Sequence, residues 1–171
     1  MQVLRNTIPT FERLHKIDNS APPLAQRDLT VAIYGHVELV SEDHSSTVVL
    51  HATSYQGNRA NPESGQFQTV RFKPTGGRAK TLQFAEMMLI FDATLGDGAR
   101  HQLVLVRNFT QTQQRSSIIS GVECSDTLLQ RGGFSVIRLT DLVDAYHIVP
   151  DVNYPEDPTR FVANRHILSR A

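Results

Sequence analysis

Residues 81–109, TLQFAEMMLIFDATLGDGARHQLVLVRNF, constrain the fold more than any other stretch. Two apolar runs, Leu82–Thr94 and Leu103–Phe109, flank the loop Leu95-Gly96-Asp97-Gly98-Ala99. The two glycines are free to take positive φ, and the aspartate between them can bond its own backbone. This predicts a long β-hairpin carrying the most hydrophobic strand pair of the protein. Ala, Glu and Met are good helix formers, so a helix from Phe84 to Leu89 competes for the first arm. The Gly-Asp-Gly turn and the valine-rich partner favour strand.

The rest of the chain reads as further strands around that hairpin. Ile8, Phe11, Leu14 and Ile17 form one stripe of a short amphipathic helix, with Pro9 just before a Thr10 N-cap. Asn19-Ser20-Ala21-Pro22-Pro23 breaks it. From Leu29 the period changes to two, with Val31, Ile33, Gly35, Val37 and Leu39 on one face of a strand. A polar turn at 41–45 leads to a returning strand, Thr47–Tyr55, then a long polar loop and a third strand, Gln66–Lys73. After Phe109, TQTQQRSS reads as a polar loop, and Gly121–Gly133 as another. Phe134–Arg138 and Tyr146–Val149 are short strands around a helical turn at Thr140–Asp144, and Arg160–Leu168 closes the chain as a strand or short helix.

About seven or eight short strands without βαβ alternation predict a mostly antiparallel β-barrel or sandwich, SH3-like in scale. The expected organisation is a helix and linker over 1–27 and a single β-rich domain over 28–171. With 171 residues, 40% hydrophobic and 20% charged, the chain can bury an ordinary core. No apolar run approaches the roughly 20 residues of a membrane helix. A single cysteine, Cys124, rules out an intrachain disulfide. The expectation is an intracellular protein with no membrane partner and no cofactor.

Chemistry-bearing constellations are sparse. Gly76-Gly77-Arg78 and Gly132-Gly133 lack the strand-to-helix context of a phosphate loop and read as turns. Cys124 with His147 and Asp126 would need a thiolate beside a base, which nothing around GVECSD specifies. If the first hairpin centres on Asp43 and His44, His36 faces His51 with Glu38 two residues along, the ligand set of many iron sites. That set defines the metal-dependent-enzyme reading; a zinc finger is excluded by the cysteine count.

The formal charge is zero, but residues 64–122 hold seven basic against three acidic residues, a net of +4. Within that segment Arg71, Lys73, Arg78 and Lys80 flank a Pro-Thr-Gly-Gly loop near Phe67 and Phe72, with Arg100 and Arg107 further on. Basic residues give salt-dependent phosphate contacts and exposed aromatics stack on bases, so these six residues define a nucleic-acid-binding reading.

The order of Ala52-Thr53-Ser54-Tyr55-Gln56-Gly57, a strand containing Val70, Leu89-Ile90-Phe91 and Leu103–Phe109 continues with Ile148-Val149-Pro150-Asp151 and Phe161-Val162-Ala163-Asn164-Arg165. Together they resemble the C-terminal β-domain of transposon-encoded proteins of mushroom-type fungi, itself similar to bromo-adjacent-homology (BAH) modules. The resemblance spans residues 48–167 and implies a folded β interaction module in a nuclear, chromatin- or transposon-related setting; it identifies no active site. The leading expectation is a non-enzymatic interaction module whose partner is protein or nucleic acid. A homo-oligomer through the helix at 8–17 stays open.

Overall fold

The computed structural model describes residues 2–17, 30–40, 47–52, 68–74, 82–119, 122–146, 148–151 and 154–163, with backbone alone at 113–119 and 122–126. The chain is mostly β. Helix α1 (Gln2–Leu14) precedes β1 (Val31–Tyr34), β2 (His36–Val40), β3 (Thr47–His51) and β4 (Thr69–Phe72). The long strands β5 (Gln83–Thr94), β6 (Arg100–Ile119) and β7 (Val122–Arg138) follow, then β8 (Leu142–Tyr146), β9 (Ile148–Pro150) and β10 (Arg160–Ala163). One antiparallel sheet runs β8-β4-β5-β6-β7-β10-β9, with β1 beside β5, and β2 pairs with β3 in a separate hairpin. β8 and β9, at opposite ends of that order, are one residue apart in the chain, so the sheet curls into a nearly closed barrel.

The central hairpin forms as its sequence predicts, and the helical alternative over Phe84–Leu89 is overturned by the strand β5. At the turn, Gly98 takes φ +74° and donates its N–H to Leu95 O at 3.0 Å, while Asp97 Oδ1 accepts the Ala99 N–H at 2.9 Å. Only glycine occupies that left-handed position without strain.

Five expectations are corrected. TQTQQRSS and residues 122–133 are strand, the outer arms of β6 and β7, because Arg115 pairs with Asp126 and Thr110 with Gln130 in one ladder. Gly132 and Gly133 are not a turn: they sit where β7 takes an extra residue opposite β6, and a Cβ on Gly132 would come within 3.2 Å of Asn108 O. The strand 31–40 is broken at Gly35, β1 joining β5 and β2 joining β3, so its faces are not continuous and Ile33 is exposed. Pro9 lies inside α1, which starts six residues earlier than its apolar stripe suggests. The predicted turn at Thr140–Asp144 divides into a 3-10 turn, Leu139–Asp141, and the start of β8. The linker at 19–23, the polar turn at 41–45 and Gln56–Gly65 lie outside the described residues.

Helix α1 ends in a Schellman cap, Ile17 N–H to Glu12 O at 3.0 Å and Lys16 N–H to Arg13 O at 3.3 Å, with Lys16 at φ 52°. Most of its stripe is core: Ile8 and Phe11, with Leu4, pack on Phe91, Ala93, Leu103 and Leu105 on one face of the long strands, Ile17 is half-buried against them, and Leu14 is exposed. The opposite face packs Val70, Met87, Val104 and Ile137 under Leu50 of the β2–β3 hairpin. Inside the curl, Phe84, Phe109, Leu129, Tyr146 and Phe161 meet, with Phe109 and Phe161 edge to face at 5.4 Å. Among the described residues no helix is long and apolar enough to cross a membrane.

Candidate binding groove

The groove lies at the turn end of the long strands. Ala32 on β1 and Gln102 on β6 both stand opposite Asp92 on β5, so Tyr34 and Arg100, each two residues along, reach the same carboxylate. The Tyr34 hydroxyl donates to Asp92 Oδ2 at 2.9 Å; Arg100 Nη2 lies 2.9 Å from the same oxygen and donates to Tyr34 Oη at 3.2 Å. The Asp92 side chain is 8% exposed and that of Arg100 is 63% exposed. A buried acid and a phenol thus orient a guanidinium whose other donors face solvent. Next to it, His101 Nε2 lies 2.9 Å from Asp97 Oδ2. Burial raises the Asp97 carboxyl, but the Ala99 N–H and His101 together outweigh it and hold the group below the usual aspartate value. Arg138, at the end of β7, and Thr140 complete an open cavity of about 620 Å³. His15, just past the end of α1, sits close by. Burial and the Arg138 charge lower its pKa against the pull of Asp141.

A guanidinium fixed on one edge and open on the other is the arrangement that captures a planar anion in a bidentate grip. The turn, Asp97 and Arg100 were visible in sequence; Tyr34, Asp92 and Arg138 were not, because strand pairing alone brings them together.

Of the six basic residues of the nucleic-acid reading, the four that are described, Arg71, Lys73, Arg100 and Arg107, do not share one surface. Arg78 and Lys80 lie outside the described residues, and Lys73 is exposed at the end of β4. Arg71 and Arg107 lie in two neighbouring rows on the barrel's inner face. One row runs Asp144–Arg71–Phe84–Phe109–Arg131, the other Tyr146–Thr69–Glu86–Arg107–Phe134. Arg71 pairs with Asp144 and lies 4.9 Å over the Tyr146 ring; Arg107 lies 5.5 Å over Phe134. Of the four described, only Arg100 lines the groove. At the candidate metal set the pairing His36↔His51 is present, with ring centroids 5.8 Å apart. No three His, Cys, Asp or Glu side chains gather as metal ligands among the described residues, so Glu38 does not close a three-ligand site. Of the nucleophile candidates, His147 lies outside the described residues.

Inside the barrel Glu86 is 2% exposed, with Oε2 3.6 Å from Arg131 Nε. Burial raises its pKa, opposed by the charges of Arg131 and Arg107. Between the ordinary glutamate value and the raised one, the folded chain therefore holds a proton that the unfolded chain has released. Stability from this group is complete below the ordinary glutamate value and is lost as pH rises through the raised one. Glu86→Gln removes that loss. The unfolding free energy of the variant, measured by urea denaturation, should gain on wild type as pH rises from 4 to 7, by on the order of 1 kcal/mol for each unit of the shift. A gap that does not change with pH would contradict burial as the cause.

Comparison with family models, with curated proteins and with solved structures finds no match for this chain.

Proposed function

We propose that the chain is a non-enzymatic interaction module that holds an acidic segment of a partner protein in the groove around Arg100. The observation that carries this is the Tyr34–Asp92–Arg100 arrangement, a preset guanidinium at the wall of an open cavity. Fixing the side chain before binding lowers the entropy lost when a carboxylate docks. Tyr34 of β1 is 40% exposed, and its ring provides apolar contact beside the charge. The nuclear, chromatin- or transposon-related setting is the one implied by the resemblance to the β-domain of fungal transposon-encoded proteins.

A protein partner is favoured over nucleic acid by the placement of the arginines. Tracking a phosphate backbone takes a basic stripe on an accessible face. Arg71 and Arg107 instead stack on rings of the inner face.

The test is anisotropy with a labelled oligoglutamate peptide and, in parallel, a random-sequence DNA duplex, each at low and physiological salt. The peptide is expected to bind, and Arg100→Gln to weaken it about tenfold or more, in line with ~1.5–3 kcal/mol for a hydrogen bond to a charged group. Peptide binding that ignores Arg100→Gln overturns the groove. Duplex binding with a steep salt slope, and none of the peptide, replaces the protein partner with nucleic acid.

A further inference from the structure

The hairpin β2–β3 carries a second, separate arrangement. Ala52 N–H donates to Gly35 O at 3.0 Å, which makes Gly35 and Ala52 a hydrogen-bonded pair. Antiparallel pairs alternate, so the next pair, His36 and His51, is the narrow kind, with Cα atoms about 4.5 Å apart and side chains at their closest. The His51 N–H accordingly points away from β2 and donates to the Gln68 side-chain oxygen. Val37 and Leu50, the neighbours in the ladder, turn inward to the core. His36 and His51 therefore share the outer face of the hairpin, where His36 is exposed and His51 half-buried. Among the described residues neither imidazole has a hydrogen-bond or ion-pair partner.

Their rings are 5.8 Å apart, centroid to centroid, and inclined at 45°. Two imidazoles on one ion, with metal–nitrogen bonds of about 2.0–2.1 Å and tetrahedral angles, place their centroids about 5 Å apart. The remaining gap is under about 1 Å and closes by side-chain rotation, because χ2 of histidine is a broad torsion. A coordinating pair also needs backbone that does not yield, and Gln68 and the inward Leu50 fix β3 at this point.

We propose that His36 and His51 together chelate one late divalent transition-metal ion, water completing its shell. Imidazole nitrogen selects zinc, nickel and copper over magnesium and calcium, with copper the tightest by the Irving–Williams order. Glu38, two residues along β2 on the same face, is placed to hold a metal-bound water rather than to ligate. The ion bridges two strands that belong to no larger sheet, and a two-stranded hairpin is marginally stable alone. An ion bound only by the paired strands stabilises that pairing by mass action. The hairpin covers Met87 and Val104 through Leu50, so the clip tightens the lid on that core.

The experiment is calorimetric titration of the full chain with nickel chloride and zinc chloride, with magnesium chloride as reference and thermal unfolding read in each. One equivalent of nickel and of zinc is expected to bind and to raise the melting temperature, magnesium to do neither. His36→Gln and His51→Gln should each weaken that equivalent about tenfold or more, and the double variant defines the background of the other histidines. Both positions lie on the outer face, and unchanged far-ultraviolet circular dichroism shows that the variants fold. Absence of a stoichiometric site, or a site that survives both substitutions, overturns the proposal.

Discussion

Phe91→Ala is expected to destabilise the chain by about 3–5 kcal/mol, a large part of the ~5–15 kcal/mol that holds a domain folded. Phe91 is fully buried, and its row across the sheet runs Ile33–Phe91–Leu103–Arg138. Leu103 and Leu105 flank it on β6, while Leu4, Ile8 and Phe11 of α1 close over it. Removing the ring takes away its transfer energy and leaves a hole between two rigid elements, helix and sheet, that cannot both collapse into it. Ile33 supplies the control, since it occupies the same row but is 62% exposed. Ile33→Ala should cost no more than ~0.5 kcal/mol. Urea denaturation of the two variants measures both, with the denaturant slope unchanged in each. A Phe91→Ala cost near that of Ile33→Ala would mean that α1 does not cover this face.

The central hairpin was legible because its information is local: alternation along each arm and Gly-Asp-Gly at the bend. The outer arms of β6 and β7 were not, for a physical reason. Gln113, Gln114 and Arg115 pair with Leu128, Thr127 and Asp126, so that part of the ladder has polar residues in succession and no period of two. Gly132 and Gly133 misled for the opposite reason, since glycine marks turns and bulges alike and only the partner strand distinguishes them. Centring the first hairpin on Asp43 and His44 gave His36 opposite His51, because a hairpin's register follows from the centre of its loop. The acids that organise the two polar sites carried no such mark. Glu86 and Asp92 interrupt an apolar run, and whether each faces water depends on β4 and β1, which approach β5 from other parts of the chain. Arg71 read as surface charge for the same reason, as its partner Asp144 lies 73 residues away.

The second large effect is expected at Glu12, a residue whose burial runs against its chemistry. It is 3% exposed within α1, and its Oε1 accepts the Gly96 N–H at 2.9 Å in the turn between β5 and β6. Gly96 is itself buried, next to Leu95, which packs with Ile8 and Phe11. Glu12→Ala removes a charge-assisted bond and leaves that N–H without an acceptor, at a cost of roughly 2–3 kcal/mol. Glu12→Gln keeps an oxygen at the same place and should lose about half as much, since a neutral bond is worth ~1 kcal/mol. Amide hydrogen exchange at Gly96 separates this from a general loss of stability: it should accelerate in Glu12→Ala before the central strands do. The same contact bears on the helix as an oligomerisation element. A chain beginning at Arg27 lacks Leu4, Ile8, Phe11 and the Glu12 carboxylate together, so it uncovers Phe91 and strips the Gly96 turn. Such a chain should lose its folded baseline in circular dichroism. A truncation that kept the fold and changed only the mass of the particle would instead make α1 an element for another copy.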